Sequence, residues 1–218
     1  MASNYLWLFD NGHGGIINDV YQTAGKRSPI LEDGSQLFEG EFNRAVVKRM
    51  VMLCEQEEID FINLVDTEMD VRLSERTDLA NDIFRNTYQT SGQKCIYVSI
   101  HADAFTPDNK LEFNGAHGWS VYTSPGETKS DDIATVFYEE MKKIFPDQKF
   151  RTDLSDGDVD KEAKFWVLRK TVMPAILTEN FFMTNLENCK LLLSEDGRDQ
   201  IALAHFNAMK RIEDQLIF

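Results

Sequence analysis

Short apolar runs, each closed by polar or glycine-rich residues, alternate along this chain with stretches of helical periodicity. That alternation confines the fold more than any other feature. Leu6–Phe9 is apolar and ends in Asp10-Asn11-Gly12, the pattern of a buried strand. Phe42–Glu57 carries Phe42, Ala45, Val46, Met50, Leu53 and Cys54, one stripe of a helix. Asp60–Val65 returns to strand character, and Leu73–Tyr88 is helical through Leu73, Ala80, Ile83 and Phe84. Cys95–Ile100 is a second continuous apolar strand, and Trp119–Tyr122 alternates as a third. Thr128 to Asp131 reads as a capping box ahead of a helix over Ile133–Ile144. The aspartate-rich stretch Pro146–Lys164 predicts a long loop, Trp166–Leu168 a short strand and Pro174–Thr178 a buried strand. Leu186–Leu193 and Asp199–Leu216 predict two closing helices.

Strands alternating with helices predict an α/β fold: a three-layer sandwich whose mostly parallel, mixed, twisted sheet carries helices on both faces. No repeat, low-complexity tract or linker interrupts the 218 residues, so residues 1–218 are expected to be a single domain. Lys and Arg total 23 against 37 Asp and Glu, a net charge of −14. Such a chain repels nucleic acid and anionic membranes unless it carries a local basic patch, and no run of Lys or Arg supplies one. No apolar run approaches the roughly 20 residues of a membrane span. Met1–Asp10 contains no Lys or Arg and runs directly into strand pattern, so no signal peptide is expected. Cys54, Cys95 and Cys189 are three well-separated thiols with no CxxC, which argues against a disulfide framework.

In open α/β sheets the chemistry sits in the crevice beyond the carboxyl ends of the strands. His13, in Asp10-Asn-Gly-His-Gly-Gly15, follows the first strand; His101, in His101-Ala-Asp-Ala104, follows Cys95–Ile100; Glu179 follows Pro174–Thr178. Two of the four histidines and a carboxylate thus leave three strands at one edge. No Walker loop and no Gly-x-Ser-x-Gly elbow is present. Two imidazoles with carboxylates suit a catalytic zinc, which takes three protein ligands and leaves a fourth position for water. Glu39 and Glu41 both open the helix after the first loop, and spacing does not choose between them as third ligand.

Six segments in order carry a family resemblance. They are Asp10-Asn-Gly-His-Gly-Gly15, Glu39-Gly-Glu-Phe-Asn43, Arg72-Leu-Ser-Glu-Arg76 through Ala80-Asn81, Ser99-Ile-His-Ala-Asp-Ala104, Val167-Leu-Arg169 and Met173-Pro-Ala-Ile-Leu-Thr-Glu179. Together they resemble the zinc-dependent N-acetylmuramoyl-L-alanine amidases called amidase 3, over nearly the whole chain. The resemblance implies hydrolysis of the amide between the lactyl group of N-acetylmuramic acid and L-alanine in peptidoglycan. It implies zinc as cofactor on His13, Glu39 and His101, with Glu179 as the catalytic glutamate. It implies peptidoglycan as partner and a site of action at the bacterial cell wall; a monomer is expected, and the chain is expected to be a lytic amidase, either a phage or prophage lysin or the catalytic domain of a longer protein. No separate wall-binding domain is expected. The chain departs from the family pattern at Asn11, where a small residue is common, and at Asn180-Phe181-Phe182 after the glutamate; Phe181 bears on the shape of the pocket wall.

Further expectations attach to single residues. Asp10 is expected to support a ligand imidazole, and Arg169 either to orient a peptide carboxylate or to brace the site by an ion pair. Ser74, Glu75 and Arg76 are expected to cap and ion-pair around their helix. His205 is expected to pack within a helix stripe, and His117 to lie at the surface or in the groove. Pro146–Lys164 is expected to wall the groove. Asp156, Asp158 and Asp160 invite a calcium reading, but the glycine and glutamate of an EF-hand loop are missing, so a solvated loop is expected. The competing functions are a zinc peptidase or deacetylase with the same ligands, a structural zinc, and a non-catalytic peptidoglycan-binding module. The last would be expected to lack one of the four site residues, and all four are present.

Overall fold

The computed structural model describes residues 3–216; the expected leaderless start at Met1 begins outside them. Among the described residues, eight strands and six α-helices follow one another. They are β1 (Tyr5–Asn11), β2 (Ile16–Ile17), β3 (Val20–Tyr21), α1 (Glu39–Gln56), β4 (Phe61–Asn63), α2 (Leu73–Ser91), β5 (Lys94–Asp103), β6 (Ser120–Thr123), α3 (Lys129–Ile144), β7 (Lys161–Glu162), α4 (Trp166–Lys170), β8 (Ala175–Phe182), α5 (Leu186–Leu193) and α6 (Glu195–Gln215). Six strands form one sheet in the order β4-β1-β5-β8-β6-β7, and β2 with β3 forms a separate small hairpin. Every pairing in the large sheet is parallel except β6 with β8. The sheet is therefore mixed and mostly parallel, as the alternating pattern predicts.

The pleat of β1 splits the core in two. Tyr5, Trp7 and Phe9 face a cluster containing Val46, Met50, Phe137 and Ile212 from α1, α3 and α6. Leu6 and Leu8 face a smaller cluster with Ala80 of α2 and Val167 and Leu168 of α4. Successive side chains on a strand point to opposite faces, so a strand apolar at every position needs a helical layer on each side. The three cysteines are buried and unpaired, small hydrophobes in effect. Thr128 does form the expected capping box with Asp131 at the start of α3.

Two expectations fail locally. Trp166–Leu168 is not a strand but the first part of the helix α4. Periodicity cannot separate a strand from a helical turn in so short a run, and the sheet position beside β6 is filled by Lys161–Glu162 instead. The long loop is correspondingly interrupted by β7 and anchored by a bridge between Trp119 and Phe150. Second, β1, β5 and β8 run further than expected, so Asp10, His101 and Glu179 lie within strands rather than after them. Pairing on both flanks of β8, to β5 and β6, carries it through the polar pair Glu179-Asn180.

Candidate metal centre and active site

His101 near the end of β5 and Glu179 in β8 are register partners across a parallel pair. The Asn11–Gly15 turn after β1 brings His13 alongside, with the two imidazole centroids 5.0 Å apart. Glu39, the first residue of α1, enters between them from above the sheet edge. Its Oε1 lies 2.9 Å from His101 Nδ1 and 3.2 Å from His13 Nε2. The carboxylate is almost wholly buried, and its Oε2 has no hydrogen-bond partner. Glu41 turns the other way and receives both guanidinium N–H groups of Arg198, at 2.8 and 2.7 Å. Of the two glutamates that spacing left equal, Glu39 is the one that stands beside both imidazoles.

The turn that holds His13 is built by neighbours. His13 itself has φ 64°, a left-handed conformation uncommon outside glycine. Its carbonyl accepts from Arg44 Nη1 at 2.9 Å and Arg76 Nη2 at 3.2 Å, which fixes the strained backbone. Asn43 Nδ2 donates to the Gly12 carbonyl at 3.0 Å. Gly12 must lack a side chain, because a Cβ there would stand 2.2 Å from Cε1 of His101. Gly40 lets α1 approach the same turn, since a Cβ there would meet the Gly14 carbonyl oxygen at 1.9 Å.

Asp10 does not support an imidazole by hydrogen bonding. Its Oδ1 accepts from Arg76 Nη1 and its Oδ2 from Ser99 Oγ, both at 2.6 Å. Arg76, expected to cap and pair around α2, reaches instead beneath the turn and is fully buried against Asp10. Burial works to raise the Asp10 pKa, but Arg76 and Ser99 outweigh it and hold the carboxyl below its usual range. Arg169 is exposed at the end of α4, outside the cavity lining and without an ion pair among the described residues. Neither role expected of it has a contact to support it. Asn11 points away from the site, its amide donating to the Val65 carbonyl at 2.9 Å. That contact explains how a larger residue is accommodated there.

A cavity of about 270 Å³ opens over these groups. His13, Glu39, His101 and Glu179 form its floor, with Lys26 and Asp103 among the other polar residues that line it. One wall is apolar, made by Leu73, Phe165 and Trp166, each substantially exposed. The wall begins just after the 146–164 segment expected to form it, which itself stays outside the lining. Phe181 is not in the wall either. The register slips between His101 and Asp103, so that Asp103 pairs with Phe182, a bulge in β8. Phe181 takes φ 63° and packs against Phe145 in the core, fully buried. Asn180 braces the bulge by donating to the His101 carbonyl at 3.0 Å.

The electrostatics separate the two glutamates. Burial acts to raise Glu39, but its contacts with His101 and His13 prevail and hold it well below the usual carboxylate range. Burial, with the charges of Glu39 and Asp103 nearby, drives Glu179 well above that range; its Oε2 is buried and without a partner. Burial also lowers the pKa of His13, against the pull of Glu39, which favours the neutral imidazole that a metal requires. Asp103 pairs with Arg151 at 2.7 Å on the rim. Arg44, Lys26 and Arg151 carry no sequence signal for this placement; Asn43 and Arg76 lie within the motif segments, but their contacts are tertiary.

His13, Glu39 and His101 offer donor atoms that all lie within 4.8 Å of one another. Donors held at zinc distances of about 2.0–2.1 Å in a tetrahedron stand about 3.3–3.4 Å apart, close to the spacings of 2.9 and 3.2 Å here. Two nitrogens and one oxygen, with an orphaned buried carboxylate oxygen beside them, fit a zinc ion.

The family model described as N-acetylmuramoyl-L-alanine amidase matches residues 8–211. The chain belongs to the amidase 3 family. An N-acetylmuramoyl-L-alanine amidase of Bacillus licheniformis, CwlM, is 28% identical over 205 residues, covering 94% of this chain and 67% of that protein. The endolysin of Bacillus phage SPP1 is 24% identical over 214 residues, 96% of this chain and 66% of its own. The chain thus spans about two thirds of the length of these two relatives. Among solved structures, the amidase AmiC2 of Nostoc punctiforme superposes with a TM-score of 0.71 at 24% identity, covering 97% of this chain and 98% of that one. That likeness establishes the amidase 3 fold for the sheet and helices described above. Among the described residues, no helix is long and apolar enough to cross a membrane.

Proposed function

We propose that this amidase-family chain cleaves the amide between the lactyl group of N-acetylmuramic acid and L-alanine in peptidoglycan, using zinc on His13, Glu39 and His101 and Glu179 as proton carrier. The observation that carries the reading is the convergence of Glu39 Oε1 on both imidazoles, with the Glu179 carboxylate lining the same cavity. When bound, a zinc ion supplies Lewis acidity, polarising a carbonyl and bringing the pKa of water toward about 7.

The chain's own residues do the rest. His13, Glu39 and His101 would hold the ion, burial favouring the neutral imidazole at His13, and the buried Glu39 contributes one negative charge. Glu179 takes a proton from the attacking water as its oxygen bonds to the carbonyl carbon. As the C–N bond breaks, Glu179 passes that proton to the departing alanine nitrogen, so water is divided between the two products. Proton transfer of this kind contributes about 10²–10⁴ in rate. A raised pKa suits the acid half of the cycle, and a nearby divalent cation would favour the ionised form needed for the base half. Lys26 adds positive charge at the cavity, and the wall of Leu73, Phe165 and Trp166 offers an apolar surface for the substrate.

The test is mass analysis of muropeptides after digestion of whole peptidoglycan, with and without a chelator. Free stem peptides with an exposed L-alanine amine, lost on chelation and regained with zinc, are expected. Cleavage within the stem peptide, or cleavage indifferent to the chelator, would overturn the proposal.

A further inference from the structure

The aspartate-rich segment before β7 does not remain solvated along its length. Asp160 is 1% exposed, and its Oδ2 accepts from Thr123 Oγ1 of β6 at 2.5 Å. Its other oxygen, Oδ1, is buried and without a partner, as is Asp158 Oδ1. Asp131, in the first turn of α3, brings a third carboxylate. One donor oxygen from each of the three lies within 4.8 Å of the others. The neighbouring Lys129 pairs with Asp132 instead, and no ion pair among the described residues reaches the three.

Three carboxylates this close repel one another, and either proton uptake or a cation must relieve them. The strain shows in their chemistry. Burial and the neighbouring Asp158 and Asp131 push Asp160 up to about 7, and burial raises Asp131. We propose that Asp131, Asp158 and Asp160, together with the Thr123 hydroxyl, form a calcium site separate from the zinc centre. Oxygens 2.3–2.6 Å from a shared calcium ion stand no more than about 5 Å apart, a condition the cluster meets. The donors are all hard oxygens, with none of the imidazole or thiolate ligands that characterise zinc sites. They come from a loop, a helix start and a strand edge, a set suited to the flexible, carboxylate-rich coordination of calcium rather than the strict octahedron of magnesium. Asp131 already accepts from the Thr128 backbone N–H at 2.6 Å, but each carboxylate oxygen has a second lone pair to give.

The site would fasten the 146–164 segment to the start of α3. That segment continues through β7 into Phe165 and Trp166, the apolar wall of the catalytic cavity. Calcium would therefore stiffen the wall from outside.

The experiment titrates calcium chloride into the full chain in calcium-free buffer at physiological ionic strength, reading calorimetric heat and melting temperature, with magnesium chloride as comparison. One saturable site is expected, with Kd between about 10⁻⁵ and 10⁻³ M. At a hundredfold excess over Kd the melting temperature should rise by roughly 5–10 °C. Asp158→Asn and Asp160→Asn should each lose the heat and the shift. Asp158 is only partly buried, so Asp158→Asn keeps the test decisive if the more buried variant does not fold. No saturable heat in the wild type, or a shift that survives in Asp158→Asn, overturns the site; an equal shift with magnesium overturns the choice of ion.

Discussion

Arg76 and Asp10 form a fully buried ion pair, Nη1 to Oδ1 at 2.6 Å, directly beneath the turn that carries His13. The same guanidinium donates to the His13 carbonyl and to the Val71 carbonyl. A group assigned from the sequence to helix ends thus ties α2, β1 and the candidate metal centre together. Removing one partner of a buried pair leaves an uncompensated charge, at a cost of about 3–5 kcal/mol. Arg76→Ala should lose that much stability in denaturant unfolding. Arg76→Lys should keep most of the charge balance yet lose the fork that reaches His13, so its zinc affinity should fall more than its stability. Equal zinc affinity in Arg76→Lys and wild type would show that the turn does not depend on the fork.

Glu179→Gln should lower peptidoglycan cleavage by about 10²-fold or more, because the amide can no longer carry a proton. Its zinc content should match that of the wild type, since Glu179 stands outside the three-donor group. Elemental analysis beside the activity assay checks both halves. Substantial residual activity would remove Glu179 from the role proposed for it.

Gly12→Ala places a methyl group where the His101 ring now stands, at 2.2 Å. The imidazole must shift, so zinc binding should weaken and activity fall while the helices keep their circular dichroism. A variant with undiminished zinc binding would show that His101 is free to move.

His205 gives a pH dependence remote from the site. It is fully buried; its Nδ1 donates to the Ile201 carbonyl at 2.8 Å, and Nε2 lies 3.0 Å from Thr178 Oγ1. Burial lowers its pKa from 6.5 to about 4. The unfolded chain therefore takes up a proton at this residue before the folded chain does. Stability contributed here is intact above about pH 6.5 and is lost as pH falls toward about 4, by about 3 kcal/mol in all. Denaturant unfolding across that window should show a shallower loss in His205→Gln than in wild type. Parallel curves for the two proteins would contradict it.

The sheet and most helices were legible in the sequence because strands buried on both faces leave continuous apolar runs such as Leu6–Phe9 and Cys95–Ile100. The convergence of His13, His101 and Glu179 was legible because a mostly parallel sheet gathers its strand ends at one edge. What lay hidden depends on tertiary contact. Nothing local marks Arg44 as a support for His13, and nothing in Trp166–Leu168 separates one turn of helix from a strand. Nor does the spacing of Asp156, Asp158 and Asp160 reveal that only the last is fully buried, since that follows from the pairing of β7 with β6.

The most direct measurement is the zinc bound per chain after dialysis against zinc-free buffer, in wild type and in Glu39→Gln. A shared ion predicts close to one equivalent in the wild type and near-complete loss in the variant, whose side chain keeps its size but not its charge. A wild type without zinc, or a Glu39→Gln protein that retains the full equivalent, would contradict a metal centre built on His13, Glu39 and His101.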